Sequence, residues 1–155
     1  MKNLKEELQD KYPDYNIEEL IFKKAKELYP NSYDPTDEYF FGPCDYQPIL
    51  EEFGEILIQV DDKDYQGDSR VLFKNGNLYG ILIFGWGSCS GCDSLQGCDS
   101  YEEIDELMIE MFRDIKWFDS LEDCKKYTKT RDWELQYCYH CDETKEFIDK
   151  ILNYN

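Results

Sequence analysis

Positive charge is scarce in this sequence. Its 155 residues include 17 Lys and Arg against 35 Asp and Glu, which gives a formal net charge of −18 at pH 7. A surface of this sign repels DNA, RNA and anionic membranes, because all of these are themselves negatively charged. The composition therefore argues against direct binding to nucleic acid or to a membrane, and it favours a basic protein partner.

Long apolar runs are also missing. No stretch approaches the roughly 18 apolar residues of a membrane span, and the amino terminus, MKNLKEELQDKYPDYN, lacks the apolar segment of a signal peptide. We therefore expect a cytoplasmic protein, whose thiols stay reduced. The odd number of cysteines, seven, agrees with this, because seven cannot all pair within one chain. The oligomeric state is not indicated.

Histidine occurs once, at His140. A nucleophilic cysteine or serine needs a neighbouring base, and the sequence offers no convincing Ser-His-Asp order. Carboxylates are too numerous for any two to stand out as an acid–base pair. We therefore predict that the protein is not an enzyme.

Aromatic residues are abundant, with 13 Tyr, 9 Phe and 3 Trp. Each ring can bury a large area, so this chain can form a core despite its acidity. Its length fits one domain, residues 1–155, rather than two. We divide that domain into an N-terminal part of helices and loop (1–50) and a second part with the sheet, a cysteine loop and C-terminal helices (54–155).

Local patterns predict five helices and five strands. Helices are expected over 2–12 and 16–30, from caps at Ser100 and Ser120, and over 143–153. Strands are expected over 55–60, 69–74, 77–84, 114–118 and 133–140. Asn75 and Gly76 are the favoured pair for a two-residue hairpin turn. The order predicts an α+β fold in which a three-stranded meander and one or two further strands form a mostly antiparallel sheet, with helices on one face.

Residues 30–48 hold four of the five prolines and many aromatic residues. This composition predicts a long loop, which either wraps around the core or takes part in binding or catalysis. A second acidic stretch, DSYEEIDELMIE, places its carboxylates on the outer face of an amphipathic helix.

Two CxxC pairs, Cys89–Cys92 and Cys138–Cys141, are separated by 45 residues. Four reduced thiols can form a tetrahedral zinc site, so Zn²⁺ is an alternative to having no cofactor. Cys98 and His140 are spare candidate ligands. A zinc-stabilised interaction module is therefore one alternative function.

Several features weigh against metal or redox chemistry. Asp93 and Asp142 directly follow the two pairs, and their charge is expected to raise the pKa of the neighbouring thiols. A redox enzyme of the thioredoxin type needs a helix after its CxxC, and the residues after Cys92 have no helical period. We therefore interpret the loop as structural, with Ser, Gly and Cys chosen for their small size. A thiol redox enzyme remains a second alternative.

The segments GSCSGCDSLQ, IKWFDS and DWELQYCYH together resemble a group of small proteins from bacteriophage and bacterial genomes. Members share a core similar to G-S-C-S-G-C-D-x-L-Q, a W-F-D segment and a tryptophan-rich C-terminal strand before a last helix. The similarity covers about 70–150. The group has no assigned activity, so the resemblance implies no catalytic residue.

A phage origin gives the acidic surface a meaning by analogy. Small acidic phage proteins resemble anti-restriction or anti-CRISPR inhibitors, which fill a basic groove in a host enzyme that handles nucleic acid. In such a protein, carboxylates replace phosphates and aromatic rings replace bases. We therefore predict a non-enzymatic inhibitor that binds a basic host protein. The residues that we expect at the partner interface are Asp34, Asp37, Glu38, Tyr39, Asp45, Tyr46, Glu102, Glu103, Asp105, Glu106 and Glu110.

Overall fold

The predicted meander forms the centre of the computed structural model, which describes residues 9–10, 13, 24–136 and 140–155. In chain order the elements are α1 (Ala25–Leu28), β1 (Tyr33–Asp34), β2 (Tyr39–Phe40), α2 (Gln47–Phe53), β3 (Glu55–Asp61), β4 (Gly67–Asn75), β5 (Leu78–Trp86), α3 (Tyr101–Asp114), β6 (Lys116–Phe118), α4 (Leu121–Thr130) and α5 (Cys141–Leu152). Together they form a single α+β domain, which confirms the predicted fold class.

The main sheet has the strand order β3-β4-β5-β6, and every neighbouring pair is antiparallel. Asn75 pairs with Leu78 across the β4–β5 hairpin, so Gly76 and Asn77 form its two-residue loop. The predicted turn at 75–76 was therefore one residue too early. Gly76 takes a φ of +56°, a left-handed conformation that glycine adopts without strain.

Helices cover both faces of the sheet, not one face as predicted. Val71 and Phe73 of β4 are buried in a cluster with side chains of α2 and α3, whereas Leu72 is buried in a second cluster with α4 and α5. Successive strand residues point to opposite faces. A central strand with three consecutive apolar residues therefore needs apolar cover on both sides.

Two of the predicted helix starts are confirmed by their caps. The Ser100 hydroxyl accepts a hydrogen bond from the Glu103 amide at 3.2 Å, and the Ser120 hydroxyl accepts one from the Asp123 amide at 3.1 Å. Each bond satisfies an amide that the first helical turn leaves unpaired. These caps fix where α3 leaves the cysteine loop and where α4 follows β6.

The predicted strand over 133–140 is not present in its described part. Residues 133–136 are coil and turn, and 137–139 lie outside the described residues. Glu134 has a φ of +53°, which a strand does not allow, and the Trp133 indole N–H donates to the carbonyl oxygen of Thr128 at 2.9 Å. The residues with this alternating pattern form a loop, and the bond from Trp133 to Thr128 caps the C-terminal end of α4.

The N-terminal part is only partly described. The predicted helix over 2–12 and the first half of the next, up to residue 23, lie mostly outside the described residues. The described end of the second helix, α1, stops at Leu28, before Pro30. Residues 30–48 contain the short β1–β2 hairpin, and α2 begins at Gln47. Across the described ranges, no helix has the length and apolar character needed to cross a bilayer.

Candidate functional site

The loop between β5 and α3 (87–100, hereafter the cysteine loop) is organised around a buried carboxylate. Asp93 is 5% exposed. Its Oδ2 accepts a hydrogen bond from the Gly87 amide at 2.8 Å, and its Oδ1 accepts bonds from the amides of Leu95 and Gln96 at 2.9 and 3.0 Å. The hydroxyl of Tyr46 donates a fourth bond at 3.0 Å. A loop without a helix or strand is thereby held in one conformation.

Cys89 and Cys92 lie together at the outer surface of this loop. Their sulfur atoms are 2.8 Å apart, and both residues are exposed. The Cys89 amide also donates to the Cys92 sulfur at 3.2 Å. Gly87 contacts this arrangement closely, because a Cβ built on it would lie 2.7 Å from the Cys92 sulfur and 2.4 Å from the Cys92 carbonyl oxygen. The loop therefore presents two adjacent thiols on a tightly packed support.

The pKa of the Cys92 thiol is lowered from its ordinary value. The main cause is the side-chain hydrogen bond with Cys89, followed by the backbone hydrogen bond from Cys89 and smaller contributions from Ser88. Hydrogen bonds that donate to a sulfur stabilise its thiolate form. The prediction that Asp93 would raise the pKa of this thiol was therefore wrong for Cys92. The Asp93 carboxylate points into the loop, where four donors already surround it.

Cys98 behaves as the structural interpretation of the loop expected, and Cys124, outside the loop on α4, has the same character. Both are buried, and burial raises the pKa of each thiol to about 11. Cys98 donates to the carbonyl oxygen of Ser94 at 3.2 Å inside the loop. The small-residue interpretation therefore holds for Cys98, but not for the exposed Cys89 and Cys92.

The two CxxC pairs are not seen together as a zinc site. Cys138 lies outside the described residues. Cys141 is the first residue of α5, and its thiol donates to the carbonyl oxygen of Leu135 at 3.1 Å. In the described ranges, the one group of three closely spaced metal-binding side chains is Asp62, His140 and Glu143, which includes no cysteine. The four-cysteine zinc site stays a prediction.

The position of Asp62 in the group with His140 and Glu143 is explained by a buried ion pair with Arg70. Asp62 and Arg70 are each 5% exposed, and Arg70 Nη1 donates to Asp62 Oδ1 at 2.8 Å. The other Asp62 oxygen accepts the Asp68 amide at 2.8 Å. His140 Nε2 lies 3.8 Å from that same oxygen. Both Asp62 oxygens are therefore already used to tie the β3–β4 connection to its own strands.

A cavity of about 310 Å³ lies between α2, the β3–β4 hairpin and the cysteine loop. Its charged lining residues are all acidic, and in the described part of the chain no Lys or Arg borders it. Gly87 lies in its wall, so the cavity adjoins the packed support of Cys92. Its carboxylate-bearing lining residues are Asp45, Asp61, Asp62 and Asp93.

The second candidate surface is residues 33–41, hereafter the aromatic hairpin. Tyr33, Tyr39 and Phe41 are 45, 56 and 53% exposed, although large rings are normally buried. Tyr39 and Phe41 contact each other edge to face, with ring centroids 4.5 Å apart. Two further residues, Asp37 and Glu38, are exposed acids at the turn of the hairpin. The segment thus combines exposed rings with exposed negative charge.

The aromatic hairpin is anchored between α3 and the cysteine loop. The Phe40 ring packs edge-on against Tyr101, the first residue of α3, at 5.0 Å between centroids. Gly42 lies so close to Gln96 that a Cβ on it would be 2.1 Å from the Gln96 carbonyl oxygen. The hairpin is therefore a fixed neighbour of the helix that carries the second acidic stretch.

Most of the predicted interface residues are accessible, and two are not free for a partner. Tyr46, predicted as exposed, is buried at 8% exposure and bonded to Asp93. Asp105 is half-buried, and its Oδ1 accepts the Ala25 amide at 2.9 Å, which ties α1 to α3. Asp34 is half-buried beside its hairpin. The exposed members are Asp37, Glu38, Tyr39, Asp45, Glu102, Glu103, Glu106 and Glu110.

Comparison of the chain with protein-family models, with curated proteins and with solved structures finds no match. The resemblance at the cysteine loop stays a prediction, and any function rests on the geometry described above.

Sequence reasoning missed the pairing of Cys89 and Cys92 as exposed neighbours. The CxxC spacing was the available signal, but the decisive contacts come from Tyr46 and Gly87. The exposed ring of Phe41 was also missed as an interface residue, although it lies in the same aromatic stretch as Tyr39.

Proposed function

We propose that this protein is a non-enzymatic binding protein that occupies a basic, nucleic-acid-binding groove of a partner protein. The partner in this proposal is a host enzyme of nucleic-acid handling or defence, and the protein acts as a phage-type inhibitor of it. The carboxylates take the place of phosphates, and the rings of the aromatic hairpin take the place of stacked bases. Electrostatic complementarity of this kind speeds association and selects the partner by charge.

The observation that carries the proposal is the composition of the aromatic hairpin surface. Tyr39 and Phe41 expose about half of their area beside Asp37 and Glu38. Among the described residues, neither of these acids forms an ion pair with a lysine or arginine. Exposed aromatic residues are typical of interface centres. A basic groove offers both a charge partner for the acids and a flat surface for the rings.

The acidic face of α3 extends this surface. Glu102, Glu106 and Glu110 are exposed and lie four residues apart, so they form one stripe along the helix. Like charges at this spacing destabilise a helix slightly. Since this stripe has a cost in the free protein, a basic partner that neutralises it gains binding energy.

The test uses capture of a partner by the immobilised protein, followed by competition. The hairpin variant is Asp37→Lys/Glu38→Lys, and the matched control is Glu146→Lys/Asp149→Lys, which changes net charge equally on exposed positions of α5. We expect duplex DNA or RNA to displace the captured protein, and salt to weaken its binding strongly. The hairpin variant should lose at least about tenfold in affinity, and the control much less.

Two results would contradict the proposal. One is a captured partner that nucleic acid does not displace and that ignores salt. The other is equal affinity loss in the hairpin variant and the α5 control, which would mean that net charge alone, and not this surface, determines binding.

A further inference from the structure

We propose that Cys89 and Cys92 form a thiol–disulfide exchange site whose substrate is a small, accessible, positively charged disulfide. The site is independent of the aromatic hairpin and of any protein partner. It rests on the contact between the two thiols, their exposure, and the acidic cavity beside their support.

The geometry of the pair suits closure to a disulfide. The two sulfur atoms are 2.8 Å apart, and a disulfide bond needs about 2.05 Å. Both side chains are exposed, so a substrate can reach either sulfur. A structural pair of small residues has no need of this exposure, because a buried cysteine such as Cys98 fills space equally well.

Cys92 is the attacking residue. Its sulfur accepts a hydrogen bond from the Cys89 amide at 3.2 Å, and once Cys92 is a thiolate the Cys89 thiol, 2.8 Å away, donates a second; both bonds favour the thiolate. Gly87 packs against Cys92, and the Gly87 amide donates a hydrogen bond to the buried Asp93 carboxylate, which holds Gly87 in place. The nucleophile is thus held in place by groups that need not move during the reaction.

The exchange proceeds in two balanced steps. The Cys92 thiolate attacks one sulfur of a disulfide R–S–S–R, the S–S bond breaks, and RS⁻ leaves and takes a proton from water. Cys89 then loses its thiol proton to water and attacks the Cys92 sulfur; the mixed S–S bond breaks, and the second RS⁻ leaves and takes up a proton from water. The pair is oxidised by two electrons to a disulfide, and the substrate is reduced to two thiols.

The surroundings select the charge of the substrate. Asp45 and Asp61 are exposed carboxylates in the cavity that Gly87 borders, and Asp68 lies next to Gly85 at the end of β5. Cys89 and Cys92 do not line this cavity, so its carboxylates act on an approaching substrate as nearby negative charge and not as direct contacts. The charged residues that line this cavity are acidic. A cationic disulfide is therefore attracted and an anionic one repelled, with an effect that salt weakens.

The test uses three small disulfides of similar size. They are cystamine (charge +2), bis(2-hydroxyethyl) disulfide (neutral) and 3,3′-dithiodipropionate (charge −2), each added to the fully reduced protein at pH 7. Acid-quenched samples are followed by intact mass and by peptide mapping. We expect a loss of two mass units that maps to a bond between Cys89 and Cys92. We also expect cystamine to react at least about tenfold faster than dithiodipropionate at low salt.

Variants separate the two steps. Cys89→Ser should stop at a mixed disulfide on Cys92, whereas Cys92→Ser should lose the fast reaction. Cys44→Ser removes the exposed cysteine that lines the acidic cavity itself, and it separates reaction at that cysteine from reaction at the pair; the Cys89–Cys92 bond should still form at the native rate. Near-ultraviolet circular dichroism verifies that each variant keeps the native fold.

Three outcomes would overturn the inference. Reaction at Cys44 as fast as at Cys92, or a disulfide that maps to another pair, would show that Cys89 and Cys92 are not an exchange site. Equal rates for the three disulfides at low salt would show that the site does not select its substrate by charge. Because no partner protein is used, failure here leaves the binding proposal intact, and failure of that proposal leaves this site intact.

Discussion

The hydroxyl of Tyr46 donates a hydrogen bond to Oδ1 of Asp93, 3.0 Å away, across 47 positions of sequence. Tyr46 immediately precedes α2, and Asp93 lies at the centre of the cysteine loop. Burial, opposed in part by a backbone hydrogen bond and reinforced by the Asp93 charge, raises the pKa of Tyr46 well above its ordinary value. The phenol therefore stays protonated and remains a donor at neutral pH. This bond joins the cysteine loop to the helical layer of the core.

Removal of the Asp93 carboxylate should destabilise the domain more than removal of one of its donors. Asp93→Ala leaves the amides of Gly87 and Gln96 and the Tyr46 hydroxyl without an acceptor, and the Leu95 amide keeps only its longer bond to the Tyr46 hydroxyl. We therefore expect a loss of at least about 3 kcal/mol in the free energy of unfolding. Tyr46→Phe removes the bond donated to Asp93 and the bond accepted from the Leu95 amide, which keeps Asp93 as an acceptor, and should cost about 1–2 kcal/mol. Urea unfolding measures both. Equal losses would show that the carboxylate does not organise the loop.

Gly87 should be intolerant of a side chain, whereas Gly91 should accept one. A Cβ at Gly87 would overlap Cys92, and overpacking of this kind costs about 1–3 kcal/mol. At Gly91 the nearest neighbour of a Cβ is the Cys89 sulfur at 4.0 Å, an ordinary contact. Gly87→Ala should also slow alkylation of Cys92 by iodoacetamide, because it shifts the thiol from its donors. If Gly91→Ala has the same effects, the close packing is not the cause.

Stability should fall in alkaline solution. The folded pKa of Cys98 and of Cys124 is raised from 9.0 to about 11, chiefly by burial, so above pH 9 the unfolded chain releases these protons first. Their contribution to stability is complete below pH 9 and is lost as the pH rises to about 11. Each thiol adds a slope of up to about 1.4 kcal/mol per pH unit in that window. Urea midpoints measured from pH 8 to 10.5 should show a shallower decline in Cys124→Ala than in the native protein. An unchanged slope would contradict this origin.

Glu106 should be a stabilising site for substitution. It lies four residues from both Glu102 and Glu110 on the exposed face of α3, so its charge is repelled from two sides. Glu106→Gln should raise the free energy of unfolding by about 0.4–1 kcal/mol at low salt. The gain should shrink in 0.5 M NaCl, because salt screens the same repulsion. Thermal unfolding at both ionic strengths provides the measurement, and a gain that salt leaves unchanged would point to another cause.

Features set by neighbouring residues were predictable from the sequence. Ser100 and Ser120 cap their helices through an amide three positions away, and a short turn joins β4 to β5. These depend on local hydrogen bonding and on strong turn preferences. The antiparallel β3–β4–β5 meander follows from them, because the connections between these strands are short. The place of β6 beside β5 does not, since the cysteine loop and α3 separate the two strands in sequence.

Features set by distant contacts were not predictable. The alternation from Trp133 onward is typical of a strand, but the Trp133 indole binds the carbonyl of Thr128 and its ring packs edge-on against Phe147, at 6.2 Å between centroids. Burial on both faces of β4 also depends on where α4 and α5 pack. The loop that carries Cys89 and Cys92 is joined to the core by the hydrogen bond between Tyr46 and Asp93, which are 47 positions apart.

The attachment of the aromatic hairpin has a consequence for how the protein is made. Phe40 contacts Tyr101, and Gly42 contacts Gln96, so both anchors join segments more than fifty residues apart. The β3–β4–β5 meander needs only short closures, which are entropically cheaper and faster. We expect the meander to form early and the hairpin to dock late in folding. A nascent or truncated chain that ends before Tyr101 therefore lacks the finished acidic–aromatic surface, and only the completed domain presents it.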